Sequence, residues 1–142
     1  MSTALIVIDM QRDFCAPGGY ADQAGLDIDR LRAPIPAISR LLDSARSLGL
    51  LVVHTREGHR ADLSDLHASK RHRAEFAGAP IGHQGPLGRL LVRGEYGHDL
   101  IDELRPLPAN RWWTSPATAP SPTPTWTCCC AAAASATWCC AG

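Results

Sequence analysis

Beyond Arg111 the chain has no charged residue, and from Trp112 to Gly142 it has no Leu, Ile or Val. The first absence removes the solvated surface of an ordinary folded segment, and the second removes its aliphatic core. Net charge is also lacking: 14 Lys and Arg balance 14 Asp and Glu, so nothing favours a nucleic acid or an anionic membrane as partner. No apolar run approaches the length of a membrane span or a signal segment, because Ala4 to Ile8 stops at Asp9. A cytoplasmic protein acting on a small molecule is expected. Spaced cysteine pairs are missing too. Cys128-Cys129-Cys130 and Cys139-Cys140 are adjacent, which suits neither a zinc site nor a disulfide framework.

What the tail does hold is all 4 Trp residues, Cys at the five positions just named, and Ala, Pro, Ser and Thr. A low-complexity segment is one reading, but clustered Trp and Cys sit badly in water, and the genetic code offers a better one. Trp is always TGG and Cys always TGC or TGT, so reading one base back fixes several residues. Trp112-Trp113 then yields Val, Trp113-Thr114 and Trp126-Thr127 yield Asp, Cys128-Cys129-Cys130 yields Leu-Leu, and Trp138-Cys139-Cys140 yields Val-Leu. With GC-rich codons elsewhere the shifted text runs strand, loop, helix, strand. The tail is therefore expected to be an out-of-frame translation, and the chain divides into residues 1–110, part of an enzyme domain, and residues 111–142, a disordered tail.

The first part follows α/β patterning. Ala4-Leu5-Ile6-Val7-Ile8 is a continuous aliphatic run, as in a strand buried on both faces of a parallel sheet. Gln11 to Asp27 reads as a loop, with a turn at Pro17-Gly18-Gly19 that lacks the Lys and Ser/Thr of a phosphate loop. Asp27 or Asp29 then caps a helix whose early turn holds Pro34 and Pro36. Ile35, Ile38, Leu41, Leu42, Ala45 and Leu48 share one face of that helix and Gly49 ends it. Leu50 to His54 forms a second buried strand, so strand, helix and strand make a right-handed βαβ unit. Thr55 to Gly88 is polar and long, a functional loop on this reading. Leu90 to Val92 is expected to be extended, and His98 to Leu104 a short helix.

In open parallel sheets the ligand crevice lies at the carboxyl ends of the strands, where Asp9 falls, with Gln11 and Phe14 placed to flank a small substrate. Arg56, following the second strand, can pair with a substrate carboxylate, or with Glu57 or Asp62 at the surface. Cys15 reads as a small, semi-buried loop residue rather than a nucleophile, since no base is placed beside it. His54, Arg56, His59 and His67 raise the question of a metal, but solvated loop side chains are preferred and no cofactor is expected.

Ile6-Val7-Ile8-Asp9-Met10-Gln11-Arg12-Asp13-Phe14 with Pro17-Gly18-Gly19 resembles the opening signature of the isochorismatase-like cysteine hydrolases. Val53-His54-Thr55-Arg56-Glu57-Gly58-His59 and Leu91-Val92-Arg93-Gly94-Glu95 resemble the branch that hydrolyses carbamoyl amides, including biuret and ureidoacrylate amidohydrolases. The resemblance covers Ala4 to Pro108. It implies a Rossmann-like three-layer α-β-α sandwich, incomplete in this chain, a family-type homo-oligomer, and a Cys-Lys-Asp triad in which Asp9 takes the thiol proton. The other two members are missing from it. The Lys belongs to a Val-Asp-Lys-Pro segment, which the shifted reading restores at about Ser115, and the Cys belongs just beyond the Gly-Val that the shifted reading gives from Gly142 and the stop after it. An inactive amide hydrolase is the expectation. Alternatives are a non-catalytic binding protein that docks through its tail, and a vinyl ether hydrolase of the isochorismate type.

Overall fold

The computed structural model describes residues 2–108, 111–115 and 136–141. At its centre are two parallel strands, β1 (Ser2–Val7) and β2 (Leu51–Glu57), in a register that sets Ala4 against Leu51 and Val7 against His54. Between them come α1 (Arg12–Cys15), α2 (Tyr20–Gln23), α3 (Ile28–Arg32) and α4 (Ile35–Ser47). α4 carries the crossover. Its Ile35, Ile38, Leu42 and Ala45 are buried against Leu5, Val7 and Val52 of the strands, with Ile101 and Leu104 closing the cluster. Leu41 and Leu48, on the edge of the expected apolar face, are 46% and 72% exposed, so the buried stripe is narrower than the pattern suggested.

The helix expected from Asp27 onward is two helices. Asp27 does cap the first, its carboxylate accepting from the Arg30 N–H at 3.2 Å. Pro34 and Pro36 have no N–H to give, so the backbone ladder cannot run through them, and α4 begins afresh with Pro36 in its first turn. Gly49 ends α4 with φ +66°, the left-handed conformation that a residue without Cβ adopts at low cost.

Three other expectations are corrected. The stretch from Thr55 to Gly88 contains α5 (Ala68–Phe76) and the short antiparallel pair β3 (Gln84–Gly85) and β4 (Gly88–Arg89). α5 is hard to see because only Ala74 on it is buried and its cap is His67, whose ring nitrogen accepts from the Ser69 N–H at 3.3 Å. Leu90 to Val92 forms a buried turn rather than a strand, and His98 to Leu104 keeps only one 3-10 turn, Asp102–Leu104.

Two further parallel strands complete a four-stranded sheet in the order β5-β2-β1-β6. β5 (Arg111–Ser115) pairs with β2, setting Ser115 opposite Glu57, and β6 (Ala136–Ala141) pairs with β1, setting Ala141 opposite Val7. The expectation of a disordered tail therefore does not hold at these two places. A lone β1-β2 pair has two open edges of backbone N–H and C=O groups, which a strand of almost any composition can satisfy. The rest of the tail, 116–135, and the expected boundary at 109–110 lie outside the described residues.

Candidate active site

Asp9 follows β1 directly, in a left-handed backbone conformation (φ +53°) unusual for a residue with a side chain. Thr55 of β2 holds it there. The Thr55 hydroxyl accepts from the Asp9 N–H at 3.1 Å and donates to the Asp9 carboxylate at 2.7 Å. Burial pushes the Asp9 carboxyl above the ordinary range for its type; the Thr55 hydrogen bond opposes that shift, Glu57 adds to it and Lys70 of α5 opposes it. A carboxyl group with raised proton affinity at the end of a strand is suited to taking a proton from a nucleophile.

Asp9 opens onto a cleft of about 520 Å³ whose walls include Ile8, Met10, Phe14, Leu31 and Pro34 and whose charged side chains are Asp9, Glu57 and Arg30. Phe14 lines this cleft, edge-on to Tyr20 with ring centroids 6.0 Å apart. Gln11 does not. It is fully buried, its amide donating to the Glu57 and His98 carbonyls, both at 2.9 Å, and accepting from the Glu57 N–H at 2.6 Å. With both ends of its amide spent on backbone, Gln11 clamps the end of β2 to the turn after β1 instead of flanking a substrate.

Its neighbours in the motif are also structural. Arg12 is buried, paired with Asp102 at 2.9 Å and Asp99 at 3.5 Å, and lies 4.2 Å over the ring of Tyr96. Asp13 accepts from the Leu91 N–H at 2.9 Å and the Tyr20 N–H at 3.4 Å. Gly97 presses on it so closely that an added Cβ would meet its carboxylate at 2.5 Å. Backbone bonds from Arg12 to Asp99, Asp13 to Gly97 and Ile101 to Met10 complete the seam. Sequence reasoning passed over this network because its partners lie about 80 residues away in the chain.

Arg56 lines a second cleft, of about 600 Å³, with Arg93, Tyr96 and His98. Its partner is Asp99, at 3.2 Å, rather than Glu57 or Asp62, and it is not among the residues lining the Asp9 cleft. Of the three histidines weighed as metal ligands, His67 is exposed, and His54 and His59 are not solvated. His54 is wholly buried on β2 with neither ring nitrogen hydrogen-bonded among the described residues, and burial lowers its pKa to about 4. His59, equally buried, meets Asp65 at 3.3 Å. No group of three or more His, Cys, Asp or Glu side chains among the described residues converges as a metal site. Cys15 is 2% exposed, and burial raises its thiol further from ionisation. Among the described helices none is long and apolar enough to cross a membrane.

The model of the isochorismatase domain matches residues 3–115. The chain belongs to the isochorismatase family. It is 32% identical over 119 residues to the ureidoacrylate amidohydrolase RutB of Azorhizobium caulinodans, covering 76% of this chain and 49% of that protein. The RutB of Serratia proteamaculans is 34% identical over 107 residues, covering 73% and 43%. The chain thus spans about half the length of the curated relatives it matches. Among solved structures, an isochorismatase family protein from Desulfovibrio vulgaris superposes with a TM-score of 0.59 at 30% identity, covering 81% of this chain and 53% of the other. A cysteine hydrolase from Pseudomonas syringae pv. phaseolicola does so with 0.55 at 22% identity, covering 80% and 46%, a likeness of fold alone. With the parallel sheet, these establish a Rossmann-like α/β architecture.

Proposed function

We propose that the design to which this chain belongs hydrolyses the C–N bond of a small carbamoyl or ureido amide by covalent cysteine chemistry, with Asp9 as the base. The observation that carries the reading is the Thr55-held carboxyl of Asp9 at the strand end, opening onto a cleft of small-molecule size. In such a reaction a thiol gives its proton to Asp9, the thiolate attacks the carbamoyl carbon, the amine leaves with a proton, and water releases the acyl group. The likeness to ureidoacrylate amidohydrolases supports this branch over a vinyl ether hydrolase.

Residues 1–142 by themselves do not turn over substrate on this reading. Ser115 stands where the resemblance expects Lys, and no Cys occupies the position expected of the nucleophile. The register favours an out-of-frame origin for 111–142: β5 ends beside Glu57 and β6 ends beside Val7, the strand ends at which a restored Lys and Cys would flank the Asp9 turn. The chain is expected to release no ammonia from ureidoacrylate, biuret or N-carbamoyl amino acids. Turnover that disappears in Asp9→Ala would overturn the inactivity. Resequencing the gene from the Pro108 codon onward tests the origin of the tail: an open neighbouring frame encoding Lys and then Gly-Val followed by a Cys-containing segment supports it, and its absence would leave the binding-protein reading in front.

A further inference from the structure

Asp9 shares its cleft with a second acid, Glu57, and two carboxylates that line one cleft oppose each other's ionisation. Glu57 is pinned at its backbone, because Gln11 takes both its N–H and its carbonyl. Its side chain meets Lys70 of α5, whose ammonium makes an ion pair with Oε1; the two side chains are only 16% (Lys70) and 23% (Glu57) exposed. Of the 14 Lys and Arg residues in the sequence one is a lysine, and it is this one. A lysine ammonium is a compact point charge, suited to offsetting a single carboxylate without forking across to its neighbours. Apolar packing does little to explain why α5 lies here, since Ala74 is its one buried residue. Ser115, the β5 residue opposite Glu57 in register, brings no charge to this strand end. After burial and the Thr55 hydrogen bond, the charges that act on Asp9 are Glu57, which raises its proton affinity, and Lys70, which lowers it. Glu57 is felt also at Asp13, Tyr20 and His59, in each case second to burial. The other ionisable groups of the cleft are Arg30, exposed and paired with Asp27, and Cys15, whose thiol burial pushes up.

We propose that Lys70 is a positioning residue of the Asp9 site: by pairing with Glu57 it offsets the second acid and leaves Asp9 as the one uncompensated carboxylate facing the cleft. A base has to be ionised before it can take a proton, and the bare charge of Glu57 would hold the Asp9 proton in place. This rests on the reading of Asp9 as the base and adds to it a residue that does not line the cleft, on a helix that the apolar pattern of the sequence did not reveal.

The Asp9 carboxyl titration of the full chain, followed by NMR, tests the proposal without any need for turnover. Lys70→Met is expected to move the Asp9 midpoint to higher pH and Glu57→Gln to lower pH, with the double variant between the two. Lys70→Arg keeps the charge and is expected to return the curve to that of the parent. An Asp9 curve that Lys70→Met leaves in place, or that Lys70→Arg moves as far as Lys70→Met does, would mean that Lys70 only ties α5 to the sheet, and would overturn the proposal while leaving the amide-hydrolase reading intact. Where Lys70→Met fails to fold, Glu57→Gln decides, and an Asp9 midpoint unmoved in that variant overturns the proposal equally. A well-folded chain read one base back through the tail that releases no ammonia from ureidoacrylate would overturn the amide-hydrolase reading, and with it the part of Lys70 in serving a base, even where the titrations move as expected.

Discussion

Asp9 and Asp13 are two carboxylates four positions apart in one motif, both with proton affinity raised chiefly by burial, and they have opposite surroundings. Asp13 is closed in: Gly97 leaves no room beside it and its oxygens serve the backbone N–H groups of Leu91 and Tyr20. Asp9 is held by a single side-chain hydroxyl, that of Thr55, and faces a cleft. Burial alone therefore does not mark a chemical group. What marks it is an acid whose partners leave part of it open to a ligand.

The largest effect that sharpens this contrast is on stability. Asp13→Ala leaves the buried Leu91 N–H without an acceptor and is expected to cost about 3 kcal/mol, read from urea unfolding. Gly97→Ala forces a methyl against the same carboxylate and should cost about 1–3 kcal/mol. If both variants unfold like the parent, the seam is not what holds the second half of the described chain to the first.

Next in size is pH. His54 and His98 are buried with pKa values lowered to about 4. The unfolded chain, whose histidines titrate near the ordinary value of 6.5, binds protons that the fold does not. Stability is accordingly full above about pH 6.5 and falls as pH drops towards 4. Asp9 and Asp13, with raised values, act in the opposite sense from about pH 3.8 upward, so the histidine contribution is isolated by comparing the parent with the His98→Gln variant across pH 7 to 5. A urea midpoint that declines over that interval, and declines less in His98→Gln, is the expected result; a flat profile would contradict it. Smallest is Thr55→Val, which removes the hydroxyl that opposes the Asp9 shift. The Asp9 titration, followed by NMR, should move upward while that of Asp13 stays in place, and parallel movement of both would mean the two acids are not independent.

The fold was legible where apolar periodicity was strong. β1, the buried stripe of α4 and the Gly49 stop follow from residue type and spacing, and Asp9 fell at a strand end as the parallel-sheet rule required. α5 was not legible because a helix with one buried residue has no apolar stripe to read. Gln11 and Arg56 looked like ligand contacts because local sequence shows a polar side chain near a strand end but not its distant partner. Gln11 is satisfied by Glu57 and His98, and Arg56 by Asp99. In the tail, β5 and β6 could not be foreseen from composition, since backbone pairing with an open edge depends little on side chains.

The most direct test is an amidase assay on the gene read one base back through the tail, comparing Asp9→Asn with the parent on ureidoacrylate. The parent is expected to release ammonia, and the variant to unfold at nearly the same temperature but to lose about 10²–10⁴-fold in rate, the ordinary contribution of a general base. An Asp9→Asn variant with full activity, or a well-folded frame-restored parent with none, would contradict it.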